Sequence, residues 1–380
     1  DKIKCDDIVK ILFAENPGVV IQVADKHKAE VKKILEDAGV GYVKIGVPTE
    51  ERHILATLHD ATYQFGIDYL RDVWYSTSYL LDRKQSMNGC AKKRFENYKQ
   101  QPLEFVFDKS FTGKLSQFGL DPNRRTPSGI KAAIIREKGT NGEREMAYML
   151  YLAGFDVKDV TMTDLISGRE TLEDINMVVY CGGFSNSDVL GSAKGWAGSF
   201  LFNPKAKAAL DNFYAREDTL SLGVCNGCQL MMELGLITPE DKKKGKMLHN
   251  DSHKFESNFL GVTVPMNRSV MFGSLSGSKL GIWVAHGEGK FSLPYPEDHY
   301  NVVLKYSYDE YPGNPNGSDY SVAGIASQDG RHLAMMPHLE RACFPWENAC
   351  YPADRVHSDQ ITPWMEAFVN ARKWVEAHKK

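Results

Sequence analysis

The sequence predicts an α/β fold with a doubly wound, mostly parallel sheet, and residues 129–380 give the main support. Short apolar runs that are typical of buried strands alternate with segments that have helical spacing of apolar residues. The strands are predicted at 130–135, 155–160, 177–180 and 220–224, and the helices at 143–153, 203–216 and 226–234. Alternating strands and helices favour parallel pairing, and the ligands of such sheets bind at the carboxyl ends of the strands.

The second half of this region is richer in β-structure. Strands are predicted at 259–264, 282–285, 302–306, 322–326 and 332–336, and a last helix at 363–378.

The chain before residue 129 is predicted to have two parts. Residues 1–81 indicate strands at 17–23 and 42–45 and helices at 25–38 and 65–81. So short a set cannot bury its apolar surface alone, so we expect it to complete a domain that begins upstream. The start at Asp1, without methionine, also suggests a fragment. Residues 82–128 are polar and basic and then rich in Pro and Gly, which predicts a linker that wraps against neighbouring domains.

Composition excludes several classes of protein. The 380 residues carry a net charge of −3, so no basic surface indicates nucleic acid or an anionic membrane as a partner. No apolar stretch approaches the roughly 20 residues that span a bilayer. Seven scattered cysteines, an odd number, fit reduced thiols better than a disulfide framework. We therefore expect a cytoplasmic protein.

One cysteine lies where a strand gives way to a helix. Cys225 follows the apolar run 220–224, and Gly223 and Gly227 flank it at two-residue spacing. This is the pattern of a nucleophile elbow with Cys in place of Ser, in which small residues allow a sharp turn. A helix amino terminus favours a thiolate and offers free N–H groups to an oxyanion. Cys225 is therefore the predicted nucleophile.

A cysteine nucleophile needs a base, and the base needs an orienting group. His338 and Glu340 stand two residues apart at the end of a predicted strand. In extended backbone such residues project to one side, so the carboxylate can fix the tautomer of the imidazole. An ordinary surface pair would show the same spacing.

Cys225 and Cys228 also form a CxxC sequence, which leaves two other interpretations open. A redox dithiol would not account for the flanking glycines or for the pair of His338 and Glu340. A zinc site would need a second CxxC or a suitably spaced histidine pair, and the sequence has neither. No metal site is expected.

Two glycine-rich segments follow predicted strands. Residues 180–184 could bring a second N–H group to an oxyanion, or could form a tight surface turn. Residues 285–289 could bind substrate through the backbone, or could form a hairpin. Neither segment has a P-loop lysine or the spacing of a dinucleotide-binding unit, so nucleotide binding is not predicted here.

The combined motifs resemble the triad (class I) glutamine amidotransferases, a flavodoxin-like family. They are most similar to the carboxyl-terminal glutaminase of large formylglycinamide ribonucleotide amidotransferases, the phosphoribosylformylglycinamidine synthases of purine biosynthesis. The segments that carry the resemblance are 178–191, 222–229, 285–290, 312–318 and 336–341. Residues 12–18 and 70–74 resemble the end of the synthetase region of that family. The resemblance implies that residues 1–81 end a synthetase domain and that 129–380 form a glutaminase.

The resemblance also implies roles for individual residues. Cys225 would attack the carboxamide of glutamine, His338 would move the proton, and Glu340 would orient His338. The N–H groups of Asn226 and of the turn at Gly183 and Phe184 would form the oxyanion hole. Gln229, His286 and Gly287 would help to bind glutamine.

The implied partners are glutamine and the synthetase domain of the same full-length chain. This segment would need no cofactor, whereas ATP and Mg²⁺ are implied for the complete enzyme. One residue departs from the family pattern: Leu339 stands between His338 and Glu340, where the family usually has Pro, whose fixed φ would hold Glu340 more firmly. A non-catalytic domain that keeps the fold, and a different cysteine hydrolase, remain competing hypotheses.

Overall fold

A computed structural model describes residues 7–101 and 103–379 of the chain. The chain divides into two compact units, Asp1–Ser78 and Tyr79–Lys380. The segment 82–128, predicted as a linker, therefore lies within the second unit.

The first unit contains short helices and one hairpin. Its elements are α1 (Ile8–Leu12), α2 (Lys28–Asp37), the antiparallel strands β1 (His53–Leu58) and β2 (Ala61–Gly66), and the start of α3 (Ile67–Gln85), whose last residues belong to the second unit. The helices predicted at 25–38 and 65–81 are confirmed.

The strands predicted at 17–23 and 42–45 are wrong, because these apolar runs form no strand. A strand exists only when another strand completes its hydrogen bonds, and no strand among the described residues does so for these two.

The second unit holds the remaining elements. Its helices are α4 (Cys90–Glu96), α5 (Glu143–Ala153), α6 (Met162–Ser167), α7 (Lys194–Leu201), α8 (Pro204–Ala215), α9 (Asn226–Glu233) and α10 (Trp364–His378). Its strands are β3 (Lys131–Arg136), β4 (Asp156–Thr161), β5 (Met177–Tyr180), β6 (Leu220–Val224), β7 (Lys246–Leu248), β8 (Glu256–Thr263), β9 (Lys279–His286), β10 (Lys290–Ser292), β11 (Asn301–Tyr306), β12 (Val322–Ala326) and β13 (His332–Met335).

Nine of these strands form one sheet in the order β4-β3-β5-β6-β13-β12-β11-β8-β9. The first five pair in parallel and the last four pair antiparallel, which confirms the predicted α/β fold with its β-rich second half. Strands β7 and β10 make a separate two-stranded sheet.

The parallel half is doubly wound. The chain moves from β3 outward to β4 and then back past β3 to β5. Because crossovers between parallel strands are right-handed, α5 and α6 must lie on opposite faces of the sheet. Helix α10 packs beside α5, and α8 packs beside α6 and α7. The apolar strands are buried between these layers.

Within residues 7–101 and 103–379, no helix combines the length and apolar character needed to cross a membrane.

Candidate active site

Cys225 occupies a strained turn between β6 and α9. Its φ of 52° lies in the left-handed region, which a residue with a side chain rarely adopts. The turn is held on both sides, because the Cys225 N–H donates to the carbonyl of Met335 (2.9 Å) and its carbonyl accepts from the Gln229 N–H (3.0 Å). Such a turn points the side chain away from the strand, toward the edge where β5, β6 and β13 end.

The two flanking glycines are required by close backbone packing. A Cβ on Gly227 would lie 2.0 Å from the carbonyl oxygen of Tyr180, and a Cβ on Gly223 would lie 2.5 Å from the carbonyl oxygen of Gly227. Real Cβ atoms do not approach other atoms so closely, so the elbow requires glycine at both positions.

His338 and Glu340 lie beside Cys225 because β13 is the parallel neighbour of β6. The chain leaves β13 at Met335, and the His338 N–H then donates to the carbonyl of Trp283 (2.9 Å). The Nδ1 of His338 is 2.7 Å from Oε1 of Glu340. The imidazole also interacts with Cys225, and all three side chains are at most 5% exposed. The structure thus brings together the three residues predicted as a triad.

The charge of Glu340 controls the protonation of His338. Burial alone would lower the pKa of His338, but the neighbouring Glu340 carboxylate and Cys225 raise it to about 10. The second carboxylate oxygen of Glu340, Oε2, is buried and has no hydrogen-bond partner among the described residues. The nearest guanidinium, that of Arg341, lies 3.9 Å from Oε1. The imidazole is therefore positively charged at neutral pH and paired with Glu340.

Leu339 does not displace Glu340. It begins the short 3₁₀ turn Leu339–Arg341, and its side chain is completely buried. Proline is favoured at the first position of a helical turn because the N–H of that residue needs no partner there. Leucine adopts the same turn, with its side chain in the core, and the contact between Glu340 and His338 is kept.

Cys228 is not placed as a second reactive thiol. It lies in the first turn of α9 and is completely buried, and burial raises the pKa of its thiol well above the ordinary value. Both Cys225 and Cys228 are free cysteines. No group of three or more His, Cys, Asp or Glu side chains in the described ranges is arranged to hold a metal ion.

The residues predicted for an oxyanion hole have unequal access to an anion. Asn226 is the first residue of α9, where an N–H has no acceptor within the helix. Residues 182–184 pair with residues 139–141: the Phe184 N–H donates to the carbonyl of Gly139 (2.9 Å). The N–H of Phe184 is therefore used by this backbone pairing, whereas the N–H of Gly183 makes none of its hydrogen bonds. Of the two residues in this turn, Gly183 has the N–H that could face an anion.

Asn226 and Gln229 use their side chains to hold the surrounding loops. Nδ2 of Asn226 donates to Oε1 of Gln229 (2.9 Å) and to Oδ1 of Asp188 (3.3 Å), and its Oδ1 accepts from the Ser185 N–H (3.0 Å). Nε2 of Gln229 donates to the carbonyl of Glu288 (2.7 Å). Gln229 therefore fixes the loop after β9 to helix α9.

His286 and Gly287 lie at the end of β9, next to the nucleophile. The sulfur of Cys225 lies 3.5 Å from the carbonyl oxygen of Ala285, the residue before His286. Burial and the charge of His338 lower the pKa of His286 to about 3, so its imidazole is neutral. The carbonyl of Gly287 accepts from the Asn250 N–H (2.9 Å).

The sequence analysis assigned no role to two residues of the site, Gly182 and Asn250. Gly182 packs directly against the triad: a Cβ there would lie 2.8 Å from Cε1 of His338 and 3.3 Å from Cβ of Cys225. Asn250 is completely buried and contacts His286, Gly287 and Gly289. Gly182 belongs to the glycine-rich segment 180–184, whereas Asn250 lies in a polar stretch that belongs to no motif.

Comparison with known proteins identifies relatives over most of the chain. The family described as "CobB/CobQ-like glutamine amidotransferase domain" matches residues 129–375. The chain is 38% identical over 405 residues to phosphoribosylformylglycinamidine synthase of Homo sapiens, covering 97% of this chain and 29% of that protein. It is 37% identical over 395 residues to the probable chloroplastic/mitochondrial phosphoribosylformylglycinamidine synthase of Arabidopsis thaliana, covering 97% of this chain and 27% of that protein.

The chain therefore spans less than a third of the length of these relatives. Among solved structures, that of PurLQS from Thermotoga maritima is 26% identical, with a TM-score of 0.48, and the match covers 66% of this chain and 99% of that one.

Proposed function

Because the chain belongs to the family of CobB/CobQ-like glutamine amidotransferase domains, we propose that it hydrolyses glutamine to glutamate and ammonia through a thioester on Cys225. The observation that carries this proposal is the elbow itself. A strained cysteine at the amino terminus of α9 lies beside a buried pair, His338 and Glu340, whose polar atoms are 2.7 Å apart.

The protonated imidazole prepares the first half of the reaction. A positive charge on His338 favours the thiolate of Cys225, as does the amino terminus of a helix. The sulfur attacks the carboxamide carbon, and negative charge develops on the amide oxygen. The N–H groups of Asn226 and Gly183 are proposed to bind that oxygen. His338 then donates its proton to the amide nitrogen, ammonia leaves, and the thioester remains.

Water completes the cycle. His338, now neutral, accepts a proton from the water that attacks the thioester, and glutamate leaves as the sulfur becomes a thiolate again. Glu340 stays ionised in this scheme: it orients the ring through Nδ1 and stabilises the imidazolium.

We further propose that the ammonia serves purine biosynthesis. Relatives that are 37% and 38% identical are named phosphoribosylformylglycinamidine synthase. In the whole protein, a synthetase region would use ATP and Mg²⁺ to convert formylglycinamide ribonucleotide to the amidine, and residues 1–81 would be the last portion of that region. We place the reaction in the cytoplasm, because the free cysteines fit a reducing compartment.

Covalent labelling tests the nucleophile. After incubation with a diazoketone analogue of glutamine, mass spectrometry should find one adduct per chain, on Cys225. Cys225→Ser should abolish both the adduct and glutamate release, whereas the matched variant Cys228→Ser should keep a substantial fraction of each.

An adduct on Cys228, or equal loss of activity in both variants, would support the dithiol interpretation instead. A chain that forms no adduct and releases no glutamate, alone or joined to the synthetase region, would be a non-catalytic domain.

A further inference from the structure

Both polar atoms of the Asn250 side chain have hydrogen-bond partners, and these partners distinguish the amide nitrogen from the amide oxygen. Its Nδ2 lies 2.9 Å from the carbonyl oxygen of Lys254 and 2.7 Å from that of His286. Two carbonyl oxygens require a donor, so this side of the amide is the NH₂ group. The opposite atom is therefore the amide oxygen, Oδ1, which accepts from the Gly289 N–H at 3.0 Å.

The orientation of Asn250 sets the tautomer of His286. Nδ1 of His286 lies 3.2 Å from the same Oδ1, an atom that only accepts hydrogen bonds. Nδ1 must then carry the proton, and Nε2 of the neutral ring carries a lone pair. The ring can occupy this position only because residue 289 is glycine: a Cβ there would lie 2.5 Å from Nδ1.

That lone pair has no protein donor. Nε2 of His286 is buried and makes no hydrogen bond within the described ranges, and the whole side chain is 2% exposed. Leaving a buried polar atom unpaired is costly, so such an atom indicates a partner that the chain itself does not supply. The His286 ring lies near the triad, because it is close enough to His338 to feel the charge of that imidazole, and the carbonyl of the preceding residue, Ala285, contacts the sulfur of Cys225.

We propose that Nε2 of His286, held in this tautomer by Asn250, accepts a hydrogen bond from the amide NH₂ of glutamine. This proposal rests on the proposed function and adds to it the group that distinguishes substrate from product. An atom that only accepts binds an N–H and repels the carboxylate oxygen of glutamate.

A pair of substrates isolates this contact, because the γ-methyl ester of glutamate is cleaved at the same carbonyl but has no N–H on its leaving group. His286→Leu, which removes the acceptor, should lower kcat/KM for glutamine by roughly 10- to 100-fold and change that of the ester much less. His286→Gln, whose amide oxygen can accept near the position of Nε2, should recover part of the loss. Equal losses with both substrates would overturn the proposal and indicate that Nε2 binds a group common to both, such as the α-ammonium.

The role of Asn250 has a readout that does not depend on turnover. In the wild-type chain, ¹⁵N NMR of the imidazoles should show one histidine in the Nδ1–H tautomer that stays neutral down to about pH 4, and His286→Gln should remove that signal. Asn250→Ala should allow the other tautomer and lower the preference for glutamine over the ester. An Nε2–H tautomer in the wild-type chain would refute the assignment even if glutamine is hydrolysed. Failure to cleave either substrate, alone or joined to the synthetase region, would count against the proposed function instead.

Discussion

Gly182→Ala is expected to damage catalysis by displacing His338, with little effect on folding. Ala fits the backbone of Gly182, whose φ is not in the left-handed region, so only the added methyl group matters. That methyl carbon would lie 2.8 Å from Cε1 of His338, about 0.6 Å closer than the 3.4 Å at which ordinary contacts begin. The imidazole is buried and bound to Glu340, so it cannot swing into solvent.

The two expected effects differ in size. Forcing one methyl group into a packed core costs about 1–3 kcal/mol of folding free energy, which leaves most domains folded. A catalytic group moved by about 1 Å can lose about 10²-fold in rate, so a shift near 0.6 Å should lower kcat by roughly 10- to 100-fold. Denaturant unfolding measures the first effect, and glutamate release together with the rate of Cys225 alkylation measures the second.

Gly273→Ala is the matched control. A Cβ on Gly273 would meet only the carbonyl oxygen of Asn267, at 4.0 Å. This variant should keep the wild-type kcat, and its stability should change by less than about 1 kcal/mol. A folded Gly182→Ala variant with wild-type kcat would show that the ring has room to move. A similar loss of activity in Gly273→Ala would show that the effect is not local to the triad.

Two further predictions follow from the histidines. Glu340→Gln should lower kcat by about 10²- to 10⁴-fold while Cys225 can still be alkylated, and His338→Ala should be more damaging; wild-type turnover in both would remove the pair from the active site. Burial and the charge of Arg331 lower the pKa of His332 to about 4 in the folded chain, compared with about 6.5 in the unfolded chain. The stability that neutral His332 contributes is therefore present above pH 6.5 and is lost as the pH falls toward 4. The difference in unfolding free energy between wild type and His332→Asn should therefore shrink by about 1.4 kcal/mol per pH unit across that window, and a difference independent of pH would contradict the assigned shift.

The parts of the site that could be predicted from the sequence are those whose geometry is local. The elbow needs a strand, a turn and a helix in succession. The spacing of Gly223, Cys225 and Gly227 indicates this succession. The pairing of His338 with Glu340 depends only on a two-residue separation. Both features appear in a window of a few residues, so a pattern in one sequence can indicate them.

The parts that were missed or misassigned depend on distant residues. Asn250 reaches His286 across 36 positions, and no local pattern marks an asparagine that will be buried. The apolar runs at 17–23 and 42–45 have the composition of strands, but strand formation depends on a partner that composition cannot supply. The Phe184 N–H was predicted to face an oxyanion, yet pairing with Gly139, 45 positions earlier, occupies it.

The segment predicted as a linker makes several contacts with the rest of the second unit. One backbone contact is made by the Met87 N–H, which donates to the carbonyl of Ser252 (3.0 Å). Charged side chains make further contacts. The carboxylate of Asp82 accepts a hydrogen bond from Lys254 (2.8 Å) and forms an ion pair with Arg94 (2.6 Å). Burial alone would raise the pKa of Asp82, but hydrogen bonds from Lys254 and Ser86 and the charge of Arg94 hold it below the ordinary value, so the carboxylate stays ionised.

These contacts lead to the short segment that carries Asn250. Ser252 and Lys254 belong to the same short segment as Asn250, and Asn250 donates to the carbonyl of Lys254. A buried charge pair contributes little net stability, since desolvation offsets most of the attraction, but it strongly disfavours other arrangements of the charged groups. The network around Asp82 therefore acts mainly on geometry: it fixes the segment from which Asn250 orients His286. Among the described residues of this segment, Asp82, Met87 and Arg94 thus support the stretch of chain that carries Asn250.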